Sequence, residues 1–164
     1  MIRAAIVTVS DSVATGTRED RSGATLRERA EALGWQVTAQ EIVPDEISRI
    51  ASVLTRLADS GQVSLILTTG GTGVALRDVT PEAARTVIQR EIPGLGEMMR
   101  AEGRKLTPFA ALSRSMAGVR GATLIVNLPG SPKGAVESLD AIVQLIPHII
   151  DLIEGRTGHG NVPN

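Results

Sequence analysis

The chain reads as an α/β domain of three layers, a mostly parallel sheet flanked by helices on both faces. Three observations predict this. Apolar, β-branched runs at residues 3–9, 63–67 and 122–127 alternate with segments whose apolar residues recur at helical spacing. Each run ends in small or polar residues, and in a parallel sheet such ends share one edge. A length of 164 residues, 42% of them apolar, suffices for one domain with a real core. The expected organisation is a single domain over 1–155 and a polar, glycine-rich flexible tail over 156–164.

Residues 3–9, Arg-Ala-Ala-Ile-Val-Thr-Val, suit a buried central strand, and Ser10, Asp11 and Ser12 follow as turn formers or ligand contacts. Ser22 is placed to cap a helix over about 23–33, with Leu26, Ala30 and Leu33 on its buried stripe and Gly34 at its stop. Residues 35–43 alternate as a second strand. Asp45 suits the cap of the next helix, whose face is Ile47, Ile50, Ala51, Leu54, Leu57 and Ala58. The third strand runs into Gly70-Gly71-Thr72-Gly73, after which Thr80 as cap, Pro81 and Glu82 open a helix to about residue 90. A further helix is expected over about 95–105, with Met98 and Met99 as packing residues, then a short apolar helical piece at 109–112. Residues 116–119 and 122–127 form a hairpin that turns at Arg120-Gly121. Ser131 and Pro132 start the last helix, which Pro147 should kink or split and Gly155 should end.

Composition narrows the function. Cysteine is absent, which removes disulfides, thiolate nucleophiles and zinc–cysteine sites. Seventeen basic and eighteen acidic residues give a net charge of −1, so overall charge offers nothing toward nucleic acid binding. No segment approaches the ~20 apolar residues of a membrane span, and the first residues do not resemble a signal peptide; a cytoplasmic protein is expected. Trp35 and Phe109 are the only aromatics, so a bound base would lie mainly against aliphatic side chains and backbone.

The most informative stretch is 68–82. Three glycines within Gly70–Gly73 remove side chains where a strand ends, so a bulky anion can approach the backbone amides. Asp78 stands beside Arg77 just downstream, which suggests a phosphate site that also uses a metal ion or a polarised group. The loop is neither a Walker A loop, lacking its Lys-Ser/Thr pair, nor a dinucleotide fingerprint, since Leu76 stands where the third glycine belongs. A plain tight turn is the alternative for the glycines alone. The shared edge of three polar strand ends (10–12, 68–73 and 127–131) points to a site instead.

Val-Ser-Asp-Ser at 9–12, Val-Pro-Asp-Glu at 43–46, Thr-Thr-Gly-Gly-Thr-Gly followed by Arg-Asp-Val-Thr-Pro-Glu-Ala within 68–83, Thr-Pro-Phe-Ala-Ala-Leu-Ser-Arg-Ser at 107–115 and Asn-Leu-Pro-Gly-Ser-Pro-Lys-Gly at 127–134 together resemble the molybdopterin adenylyltransferase family. That family includes bacterial MogA proteins and the gephyrin G domain, and the blocks occur in its order over nearly the whole chain. The resemblance implies ATP- and Mg2+-dependent transfer of AMP to the terminal phosphate of molybdopterin, with release of pyrophosphate. It also implies a homotrimer and delivery of the product to a molybdenum insertase. Asp45 and Asp78 match the family's catalytic aspartates and are the expected magnesium ligands. Substrate contacts are expected from Ser10, Asp11, Thr69, Gly70, Gly71, Thr72, Gly73, Asn127, Pro129, Gly130 and Ser131, with Ser113 on the pterin side. MoaB-type relatives share the fold, and some depart from Asp-Val-Thr-Pro-Glu and lack activity; residues 78–82 keep that pattern here. A pterin carrier without catalysis and a phosphohydrolase on the same fold are the alternatives.

Overall fold

The computed structural model describes residues 1–156. Six strands form one sheet in the order β2-β1-β3-β6-β5-β4. The first four, β1 (Arg3–Val9), β2 (Gln36–Val43), β3 (Leu65–Thr69) and β6 (Thr123–Leu128), run parallel. The antiparallel hairpin of β5 (Ala117–Arg120) with β6, and a two-residue strand β4 (Arg90–Glu91), complete the edge. The largely parallel sheet covered on both faces is therefore as the alternation predicts.

Alternation along the buried strands divides the core between the two faces. Ala4, Ile6, Leu65, Leu67, Leu124 and Val126 pack with Leu26 and Ala30 of α2 (Arg21–Ala32), Leu95 and Met99 of α5 (Pro93–Arg104), and Leu139 and Ile142 of α6 (Pro132–Ile142). Ile146 and Ile150 of α7 (Ile146–Ile153) join the same layer. Ala5, Val7, Val9, Ile66 and Ile125 meet Ile50, Leu54 and Leu57 of α3 (Ile47–Asp59), and Ala83, Ala84 and Val87 of α4 (Thr80–Val87), on the other face. Strand β2 is the edge next to β1; its side chains alternate between exposed and half-buried, as its sequence predicts.

Several local expectations are corrected. Asp20, not Ser22, caps α2 by accepting from the Gly23 amide at 2.9 Å; Ser22 lies inside the helix and donates to the Gly130 carbonyl. Asp45 does not cap α3: Glu46 holds that position without a side-chain bond, because the Asp45 carboxylate is engaged elsewhere. Thr80 is the first residue of α4, and its hydroxyl bonds the Gly70 carbonyl at 2.8 Å instead of capping the helix. Ile47, expected on a buried face, is 43% exposed. The last helix is divided by a turn over 143–145, immediately before the Pro147 segment. Ser131 does cap α6, accepting from Gly134 at 3.1 Å. Of the expected flexible tail only Arg156 is described, pairing with Asp151 and Glu154; the remainder lies outside the described residues.

Candidate active site

In the sheet order, β1 connects outward to β2 while the chain returns on β1's other side as β3, so the crevice at their carboxyl ends is the place where open α/β sheets take ligands. The glycine loop leaves β3 at this point. Gly70 and Gly71 have φ of 107° and 69°, and a Cβ on Gly70 would collide with the Val9 carbonyl; one on Gly71 would strike the Thr80 hydroxyl and come within 3.2 Å of Asp45 Oδ1. Four successive carbonyls are tied to the protein. Gly70 accepts from the Thr80 hydroxyl (2.8 Å), Gly71 from the Thr80 amide (3.0 Å), Thr72 from the Arg114 amide (2.8 Å) and Gly73 from Arg114 Nε (2.8 Å). The amides of Gly71, Thr72 and Gly73 have no acceptor among the described residues. Fixed carbonyls with free amides make a surface that offers donors to an anion.

On one flank of this loop stand three acids and an arginine. The Asp11 amide donates to Asp45 Oδ2 at 2.9 Å, and the Asp45 amide donates to Asp11 Oδ1 at 3.0 Å, so the ends of β1 and β2 are locked reciprocally. Arg77 grips Asp11 with Nε and Nη2, at 2.5 and 2.9 Å. Bonds from the Arg77 guanidinium, then from the Asp45 amide, hold the Asp11 carboxyl below its ordinary 3.8. Burial pushes the Asp45 carboxyl above 3.8, opposed by the Asp11 amide and reinforced by the charges of Asp11 and Asp78. Asp78 Oδ2 accepts from the Ala75 amide at 3.0 Å and lies 2.8 Å from where a Cβ of Gly73 would be. Asp45 and Asp78 thus border the same loop, two residues apart along it.

On the other flank a cleft of about 950 Å³ opens between the loop, α5, α6 and a 3-10 turn over Pro108–Leu112. A volume of this size suits a large organic ligand. Thr72, Gly73, Ser113, Pro129 and Gly130 line its loop side. Met98, Leu106, Phe109, Leu112 and Leu145 supply the apolar walls, and Phe109 is 76% exposed. Met98, expected to be packing, is 40% exposed in this cleft, whereas Met99 is buried in the core as well as lining it. An amphipathic helix reads as core wherever it is apolar, so sequence periodicity does not separate a cleft wall from a core face.

The predicted site residues divide by what their side chains already do. Asp11, Asp45, Gly70, Gly71, Thr72, Gly73 and Asp78 meet around the loop, and Ser113, Pro129 and Gly130 line the cleft. Ser10 caps the four-residue helix α1 (Asp11–Ala14), accepting from Val13 at 3.3 Å, at the same edge. Thr69 is buried with its hydroxyl on the Pro129 carbonyl at 2.7 Å, and Ser131 is engaged at its cap. The Asn127 side chain does not face a ligand space: it is fully buried and donates to Thr68 Oγ1 at 3.0 Å, because position 127 pairs with 68 inside the sheet. Sequence reasoning missed the roles of Arg77, Arg114 and the Phe109 wall. The adjacency of Arg77 to Asp78 hid that its partner lies 66 residues away in Asp11.

Comparisons with known proteins place the chain in a family. A family model described as "Probable molybdopterin binding domain" matches residues 5–148. The chain is 42% identical to the molybdopterin adenylyltransferase of Helicobacter pylori, over 99% of this chain and 94% of that protein. It is 36% identical to the Escherichia coli protein of the same name, over 94% of this chain and 86% of that one. Among solved structures, the molybdopterin biosynthesis enzyme MoaB of Thermus thermophilus superposes with a TM-score of 0.89 at 52% identity, covering 94% of this chain and 98% of that chain.

Proposed function

Because the chain belongs to the family of molybdopterin-binding domains, we propose that it is a molybdopterin adenylyltransferase of molybdenum cofactor biosynthesis. A phosphate oxygen of molybdopterin attacks the α-phosphorus of ATP; the new P–O bond forms as the bond to the bridging oxygen breaks, and pyrophosphate leaves. The observation that carries this reading is the loop itself: free amides at Gly71, Thr72 and Gly73, bordered by two carboxylates on one side and by a ligand-sized cleft on the other.

Each flank has its own task. The cleft holds the pterin, with its phosphate directed at Gly73 and its ring system against Phe109, Met98 and Leu112. The amides of residues 71–73 take phosphate oxygens and align the reacting groups, the main source of rate in a reaction between two anions. No proton has to be removed from the attacking oxygen, which suits a loop without a histidine beside it.

The donor chemistry at the acidic flank fits magnesium. Among the described residues no three His, Cys, Asp or Glu side chains gather to hold a metal. Two hard carboxylates, Asp45 and Asp78, with remaining positions filled by phosphate oxygens and water, are what Mg2+ uses. Burial is the main cause of the raised Asp45 pKa, and the nearby charges of Asp11 and Asp78 add to it, so a cation beside these acids would be favoured. When bound, magnesium supplies positive charge to the phosphates and the departing pyrophosphate. Arg77 keeps Asp11, and through it Asp45, in place.

A homotrimer in the cytoplasm that passes its product to a molybdenum insertase completes the proposal on the strength of the family resemblance. Incubating the purified protein with ATP, Mg2+ and molybdopterin should give adenylylated molybdopterin and one pyrophosphate per product. Nucleotide hydrolysis without pterin would favour a phosphohydrolase instead. Pterin binding with no magnesium-dependent nucleotide affinity would favour a carrier.

A further inference from the structure

Arg114 has no part in the reaction as described, yet its backbone and side chain bond four residues of the segment 72–82. Its amide donates to the Thr72 carbonyl, Nε to Gly73 O at 2.8 Å, Nη2 to Asp78 O at 2.7 Å, and Nη1 to both carboxylate oxygens of Glu82, at 2.5 and 2.9 Å. The residue before it, Ser113, lines the cleft, and its hydroxyl bonds Ser115 at 3.0 Å. We propose that Arg114 is a positioning residue, one that sets the Gly73 end of the loop's amide face and the main chain of Asp78 in fixed relation to the Ser113 wall. This rests on the transferase reading for its catalytic consequence, though not for its structural one.

The chemistry of the side chain explains why arginine stands there. A guanidinium is planar, with donors in three fixed directions, and here they reach a loop carbonyl, the carbonyl of a predicted metal ligand and a carboxylate of the first turn of α4. Glu82 keeps the plane from turning, so the two carbonyl bonds hold together. With the Thr72 and Gly73 carbonyls both bonded to Arg114, the peptide planes that carry the Gly73 and Val74 amides are set, while Thr80, through the Gly70 and Gly71 carbonyls, sets the planes that carry the Gly71 and Thr72 amides. A lysine has a single compact charge and cannot span the three acceptors. Residues 113–115 and 72–78 therefore behave as one unit, and a ligand bearing on Ser113 bears also on the loop that holds the phosphates.

The test compares wild type, Arg114→Gln, Arg114→Lys and Glu82→Gln. Backbone amide resonances of Gly73 and Val74, the loop amides whose planes Arg114 holds, are followed while inorganic pyrophosphate is titrated, and turnover is measured with ATP, Mg2+ and molybdopterin. Removing supports behind a site commonly costs 10–100-fold, so Arg114→Gln should bind pyrophosphate about tenfold more weakly and lose about 100-fold in kcat. KM for molybdopterin should stay within about twofold, with Arg114→Lys recovering part of the loss and Glu82→Gln showing a smaller one. A folded Arg114→Gln protein with unshifted loop amides and wild-type pyrophosphate affinity would overturn the proposal. If that variant does not fold, Glu82→Gln decides: unchanged loop amides and affinity overturn it, and weakened binding at an unchanged melting temperature supports it. Should wild type bind pyrophosphate at the loop yet transfer no AMP, the transferase reading fails while the titration still decides the role of Arg114.

Discussion

The two flanks of the glycine loop are built on opposite terms. On the acidic side charged groups face one another directly: Asp11 is held by Arg77 and by the Asp45 amide, and Asp45 by the Asp11 amide. On the cleft side, apolar side chains stand open, with Leu106 65% exposed and Phe109 76%. The first arrangement fixes geometry and, with three carboxylates against one guanidinium, leaves a negative surplus that a cation would offset. The second keeps apolar surface in reserve for a partner molecule. On the proposed reading, chemistry and recognition fall on different sides of one loop, and substitutions on each side should have different signatures.

The largest effect is expected at Asp78. Asp78→Ala removes a carboxylate beside Gly73 and should lower AMP transfer by about 1,000-fold. Among the described residues the side chain's one bond is from the Ala75 amide, so stability should fall by only about 1 kcal/mol in urea denaturation. Large losses of both would mean that the acidic flank is a structural staple.

Gly71→Ala strikes the loop between the flanks. A side chain at φ 69°, against Thr80 and near Asp45, should cost about 1–3 kcal/mol and weaken nucleotide binding, as calorimetry would show. An effect on molybdopterin affinity as large as that on ATP would erase the division proposed here.

Phe109→Ala tests the cleft alone. KM for molybdopterin should rise about tenfold with KM for ATP unchanged, and the melting temperature should barely move because the ring is mostly exposed.

The smallest effect is one of pH. The folded Asp45 pKa lies above the unfolded value, so the native state binds the proton more tightly and stability falls as pH rises from about 3.8 through the raised pKa. Asp45→Asn removes that penalty and can still accept from the Asp11 amide. Without Mg2+ the variant should melt no lower than wild type at neutral pH.

Strand runs and the bare glycine loop were legible because each is local: β-branched stretches at 3–9 and 122–127, and glycines at 70, 71 and 73, carry their meaning within a few residues. The sheet edge that gathers residues 10–12 and 68–73 was legible once the parallel order was inferred, whereas the pairing of Asp45 with Asp78 at the site came through the family resemblance. Illegible features depend on distant partners. Asp45 looks like a helix cap until Asp11 is seen across from it, and Ser22 looks like one until Gly130 comes near. Asn127 sits next to loop residues in the sequence but is buried inside the sheet, paired with Thr68. Met98 and Phe109 carry apolar side chains that periodicity assigns to a core, and only the packing of α5 against α6 and the 3-10 turn leaves them facing an opening.

The most direct test of the central claim is a crystal structure with Mg2+ and a non-hydrolysable ATP analogue. Phosphate oxygens should lie ~3 Å from the amides of Gly71, Thr72 and Gly73, with Asp45 and Asp78 both turned toward the same cation. Phosphates bound away from those three amides, or a cation that touches neither carboxylate, would contradict it.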